Sequence, residues 1–311
     1  MKKLALLLGA LSLVSSVAYA KEVVPAVEEV VVVEEAAPVA AAPALRVTHF
    51  GQSIEVDNHT KDDSLDIGNV MLGNSVGLAY DDWTFGLFAR KGWDMDTDNG
   101  IHSAGHRMEL DFWKNYENFS VGAIWRGEKD FDRYLARVKY NYGMFSGDLM
   151  AGYKFMNNDA NDCFYAEGMP VAVTVGPVTV GYYFEYSKYN GTSDNVWYDT
   201  EDVEHWDKKE EALHQVRVFF PIYSGEKLSL NGQYRYQFAH DQEFTNDKQG
   251  WQENNRHIAV LGASYAVTEN LTVDGYYQYE WNKYEAHDGE NNKDRKDDYY
   301  GEFYVGYTYK F

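Results

Sequence analysis

Residues Asp298 to Phe311 read Asp-Tyr-Tyr-Gly-Glu-Phe-Tyr-Val-Gly-Tyr-Thr-Tyr-Lys-Phe. Counting back from Phe311, Tyr309, Tyr307, Val305, Phe303, Gly301 and Tyr299 share one face, while Lys310, Thr308, Gly306, Tyr304, Glu302 and Tyr300 share the other. A period of two separates the sides of a β-strand. The apolar side is too long and too aromatic for a strand that covers an ordinary core. It is what a lipid-facing wall requires, with a polar face turned to a lumen.

The remaining chain repeats this pattern. From Leu45 onward, alternating segments fall at 45–56, 67–80, 83–93, 104–114, 119–126, 133–142, 147–155, 163–175, 178–189, 211–222, 228–240, 256–267, 271–284 and 298–311. Short connections (Asp81-Asp82, Asn115–Asn118, Gly143–Gly147, Gly176-Pro177, Ser224–Lys227, Thr268–Asn270) alternate with longer acidic ones at 57–66, 94–103, 127–132, 156–162, 190–210, 241–255 and 285–297. Tight hairpins at one end and longer loops at the other predict an all-β transmembrane antiparallel up-and-down barrel of about fourteen strands, with short periplasmic turns and long extracellular loops. The alternation slips at His49-Phe50, at Pro170 and in 256–267, where bulges are expected. Twelve or sixteen strands fit the text if those slips are divided differently.

Residues 1–20 have the plan of a secretory signal peptide: Lys2 and Lys3, an apolar run from Leu4 to Val14, and Ala18-Tyr19-Ala20 before the cleavage point. This implies export through the Sec pathway. Residues 21–44 are a low-complexity Val/Glu/Ala/Pro segment holding Pro25, Pro38 and Pro43. They read as a periplasmic linker, with a strand or partial plug at Val30–Val33 as the other option. The barrel occupies 45–311. The formal charge of −21 argues against nucleic acid as a partner. A mean hydropathy of −0.53 is compatible with a barrel, since lumen and loop residues dilute the apolar half of every strand. The 26 Tyr, 16 Phe and 8 Trp suit interfacial girdles, and the single Cys163 excludes an intrachain disulfide.

Fourteen strands lie between the eight that enclose only side chains and the sixteen to eighteen that leave an open channel, so a narrow wet lumen is expected. Arg90, Arg107, Arg126, Lys154 and Arg235 each lie seven positions from the short-turn end of their strand, and Arg133 and Arg137 bracket that height. Pointing inward, they would form a basic arc lining the pore, with Glu109, Asp111, Glu185, Asp274, Glu280 and Glu302 as sparser pore-lining acids. Such a ring of charge filters ions. The same cations could instead simply keep the lumen hydrated or pair with acids on neighbouring strands. The acidic loop 190–210, with Trp197 and Trp206, reads as a solvated loop, a lipopolysaccharide contact bridged by divalent cations, or a gate. His240 and His257 flank one loop and form a possible pH-sensitive pair.

The signal peptide, the Val/Glu/Pro-rich start and the aromatic body resemble the major outer-membrane porins of fusobacteria. The fourteen-strand pattern with acidic loops is similar to that of monomeric outer-membrane protein G-type porins, which lack such a leader. The resemblance implies passive, non-specific passage of small hydrophilic solutes and ions across the outer membrane of a Gram-negative bacterium. Outer-membrane lipid and lipopolysaccharide are the implied surroundings, and the assembly is a monomer or homotrimer. No enzyme is expected: there are no catalytic residues, no G-x-S-x-G elbow, no cofactor and no metal site in this reading. An alternative is a structural or adhesin barrel that uses its long loops to bind partners.

Overall fold

The computed structural model describes residues 44–61, 64–96, 100–157, 161–190, 208–244, 251–252, 255–282, 285–286 and 298–311. The expected signal peptide, the linker and most of loop 190–210 lie outside them. The strands are β1 (Arg46–Lys61), β2 (Ser64–Tyr80), β3 (Trp83–Asp96), β4 (Gly100–Asn115), β5 (Phe119–Glu128), β6 (Phe131–Tyr142), β7 (Phe145–Met156) and β8 (Cys163–Val175). They continue with β9 (Val178–Tyr189), β10 (Lys208–Ser224), β11 (Leu228–Phe244), β12 (Trp251–Gln252), β13 (Arg256–Ala266), β14 (Leu271–Asn282), β15 (Glu285–Ala286) and β16 (Asp298–Lys310).

Fourteen of these close into one antiparallel barrel, in chain order, with β1 pairing β16 at the seam. Closure removes every unpaired edge, the condition for a sheet to cross lipid. Among the described residues no helix is long and apolar enough to do so instead. The two remaining short strands pair with each other outside the barrel, Trp251 opposite Ala286 and Gln252 opposite Glu285.

The two faces of the wall sort as the alternation requires. On β16, Phe303, Val305, Tyr307 and Tyr309 are exposed while Glu302 is buried. On β11, Leu228, Tyr234 and Phe238 are exposed, against buried Gln233, Arg235 and Gln237. The exposed apolar face is the outer one.

The expected slips at His49 and Pro170 are register shifts: β1 and β2 slip between Val47 and His49, and β8 and β9 between Gly168 and Val171. The slip expected in 256–267 is absent, because β13 pairs evenly with both neighbours. Its alternation is blurred by Ile258 and Val260, apolar residues on the inner face.

Several connections read as long are mostly strand. β1 and β2 stay paired from Thr60–Leu65 to Lys61–Ser64, and β5 and β6 are joined by only Lys129-Asp130. β10 and β11 run paired out to Lys208 and Phe244. Polar residues are no obstacle to pairing once a hairpin leaves lipid, so hydropathy marks where the apolar belt stops and the strands continue past it. Near the end of that last hairpin, beyond the apolar belt, Lys209 Nζ donates to Glu243 Oε1 at 2.5 Å. That bond holds the Glu243 carboxyl below its ordinary range.

Candidate functional site: the charged inner wall

The cross-strand register fixes which inward side chains meet. Arg90 stands directly opposite Arg107, and Arg126 opposite Arg133, which in turn faces Lys154. Arg217 stands opposite Arg235. Like charges directly opposite destabilise a sheet, so each pair needs compensation. On β4 it comes from Glu109, whose Oε1 forms ion pairs with both Arg107 and Arg126. Arg90 is held at 3.2 Å by Glu55, and Arg137 at 3.6 Å by Asp111.

Elsewhere aromatic faces and amides do the holding. The Arg133 guanidinium lies 4.0 Å from the Tyr165 ring centroid and 4.9 Å from that of Phe131, and Lys154 Nζ lies 4.4 Å from the Phe131 centroid. Arg217 stacks 3.3 Å over Tyr183 and donates through Nε and Nη2 to Gln215 Oε1. Arg235 Nη2 donates to Gln233 Oε1 at 3.1 Å. Cation–π contacts keep a guanidinium in place without cancelling its charge. Among the described residues, Arg107 Nη1, Arg133 Nε and Arg235 Nε are buried donors that find no hydrogen-bond partner.

Of the seven cations expected to line the lumen, the register brings five together on β3–β7: Arg90 with Arg107, and Arg126, Arg133 and Lys154 in one row. Arg137, also on β6, lies four positions from Arg133, and Arg235 stands apart on β11. Sequence counting overlooked Arg217, although it lies seven positions from Ser224, the short-turn end of β10. Ending that strand at 222 had hidden the count.

The acids are arranged less sparsely than expected. Glu109 and Asp111 sit within the basic arc, and Glu185 faces Glu167 across β8 and β9. Asp274 lies low on β14, opposite Gly306 and Ser264. Glu280 pairs with Arg256, while Glu302 accepts from Tyr276 and clusters with Glu55 and Asp57. The last two were missed because the register shift between Val56 and Asn58 lies beside them and the apolar pattern stops there. In the ring, β16 is seven strands from β7 by either route, so the acidic sector of β14, β16 and β1 stands across the lumen from the cations of β5–β7.

The two histidines are not neighbours. His240 is buried on the inner face with Nε2 2.8 Å from Glu211 Oε1. His257 is on the outer face, stacked on Trp281 at 5.5 Å, with Nδ1 2.6 Å from the Tyr234 hydroxyl. With Val216, Val218, Tyr234 and Tyr236 it lines an outer-face hollow of about 380 Å³.

No protein-family model and no curated protein matches this sequence. Solved structures do. A CymD monoaromatic hydrocarbon channel aligns with a TM-score of 0.50 at 9% identity, covering 87% of this chain and 89% of that one. A bacterial polysaccharide outer membrane secretin aligns with a TM-score of 0.50 at 12% identity, covering 85% and 98%. A loop-deletion mutant of OmpT, an outer membrane protein of Vibrio cholerae, aligns at 0.46 and 13% identity, covering 86% and 100%. The chain therefore has the fold of bacterial outer-membrane β-barrels.

Proposed function

We propose that this protein is an outer-membrane porin of a Gram-negative bacterium, exported by its first twenty residues and anchored in lipid and lipopolysaccharide as a monomer or homotrimer. Small hydrophilic solutes and ions diffuse passively through its lumen, and residues 21–44 serve as a periplasmic linker. The observation that carries this reading is the division of one closed fourteen-stranded wall into an apolar outer face and a charged inner face. A lipid-facing Arg near mid-membrane costs about 2–4 kcal/mol, whereas an inward one is held by the acids, amides and rings of the inner wall and its charge acts on passing ions. The basic arc of Arg90, Arg107, Arg126, Arg133, Arg137 and Lys154, extended by Arg217 and Arg235, forms the constriction. The CymD monoaromatic hydrocarbon channel has a similar fold, which agrees with this role.

Planar-bilayer recording tests the reading. The purified barrel is expected to insert as a stable, ohmic channel whose conductance scales with salt, and a preparation that folds but passes no current would overturn it. Reversal potentials in a salt gradient test the arc: neutralising Arg90, Arg107 and Arg126 together is expected to shift selectivity toward cations.

A further inference from the structure

The seam of the barrel carries a cluster for which the proposed pore gives no account. Asp57 on β1 and Glu302 on β16 stand directly opposite each other, and Glu55 lies one inward position away on β1. Each of the three offers an oxygen, all within 4.8 Å of one another, and all three side chains are buried. Among the described residues, Arg90, 3.2 Å from Glu55 Oε1, is the one ion-pair partner of the three. Tyr300 Oη lies 2.6 Å from Asp57 Oδ1 and 3.2 Å from Glu302 Oε2, so its single proton serves one of them at a time.

Two independent observations point to a ligand. Glu55 Oε2 is buried with no hydrogen-bond partner among the described residues, and so is Oε1 of Gln278. Gln278 is 2% exposed and stands directly opposite Glu302 on the inner wall, its amide nitrogen engaged by Glu280 at 2.6 Å. Leaving acceptors buried and unmatched beside converging carboxylates is costly. Another proton donor could satisfy one oxygen, whereas a cation satisfies them together. The donors are carboxylates and an amide oxygen, with no imidazole or thiolate among them, which suits a hard, flexibly coordinated ion.

We propose that Glu55, Asp57 and Glu302 hold a divalent hard cation of the Ca²⁺ type, with Gln278 Oε1 as a further ligand, and that this ion fastens β1 to β16. The seam joins the two ends of the barrel sequence; Tyr300 and Asp57 are 243 positions apart. A metal clip across so long a loop restrains the unfolded chain more than a local one does.

Tyr300 and Tyr276 touch the cluster, so Tb³⁺ is a direct probe through tyrosine-sensitised luminescence. The full mature protein in detergent at pH 7.5 is expected to show one saturable component that Ca²⁺ displaces. Asp57→Asn and Glu302→Gln should each weaken it at least tenfold, while Glu226→Gln in a short turn leaves it unchanged. Heat-modifiable migration in SDS gels reports whether each variant folds. Should a variant fail to fold, the wild type alone decides: Ca²⁺ is expected to raise its unfolding midpoint relative to EDTA. A wild type with no saturable component, equal Tb³⁺ binding by wild type and folded seam variants, or an unfolding midpoint indifferent to Ca²⁺ would overturn the site and leave the carboxylates as a proton-sharing cluster.

Discussion

Glu109 is the acid that two inward guanidiniums share, those of Arg107 and Arg126. Glu109→Gln keeps the shape and removes the charge, taking from both cations the acid they share and leaving Arg107 only Glu128 opposite it on β5. The expected loss is about 1–3 kcal/mol of stability, below that for a fully dry pair because the wall borders water, and urea titration of the folded barrel measures it. The same change should move selectivity toward anions. Arg217 makes the complementary case, since Gln215 and Tyr183 hold it without neutralising it. One unit charge acting over about 10 Å of water is worth about 0.4 kcal/mol. Arg217→Gln should therefore lower anion entry about twofold and raise cation entry about twofold, read as a reversal-potential shift in a KCl gradient. At this scale the sequence was legible wherever a clean strand supplied a count from its short-turn end, as for Arg90 or Arg235. It was not legible where bulges move the phase, as beside Glu55 and Asp57, or where a partner is chosen by register. Arg217 shares the count of Arg235 only once β10 is carried to Ser224, and the register shift between Pro221 and Tyr223 brings the two face to face.

Strands and turns were more legible than side-chain partners, because alternation over ten or more residues averages out single exceptions. What the apolar pattern could not supply was length: it ends where lipid ends, and β1, β2, β10 and β11 continue beyond it as polar ladders. The face assignment can be tested on one strand. Leu261, at mid-strand on β13, is 57% exposed on the outer wall. Leu261→Arg is expected to cost about 2–4 kcal/mol in lipid, while Tyr265→Arg, close to the short-turn rim on the same face, should cost about 1 kcal/mol or less. Equal costs would mean that the strand does not run across the bilayer as its pattern says. At the β8–β9 turn, Gly176 has φ +60, a conformation that a Cβ disfavours. Gly176→Ala should destabilise by about 1 kcal/mol with no change in conductance, as a turn far from the charged belt requires.

For the molecule as a whole, fourteen strands were legible because short and long connections alternate strictly, and an even count brings both ends of the sheet to one rim. Closure itself is written in no single segment; it follows from two terminal strands that each present a greasy face and a polar one and find each other across the entire length of the barrel. The Trp251–Gln252 and Glu285–Ala286 ribbon adds a coupling that hairpin counting does not supply. It joins the β11–β13 connection to the β14–β16 connection at Trp251–Ala286 and Gln252–Glu285. Cysteines placed at Gln252 and Glu285 would turn that stitch into a redox-operated latch, the native thiol of Cys163 being buried. Oxidation should quiet the current flicker of a single channel, and a reductant should restore it.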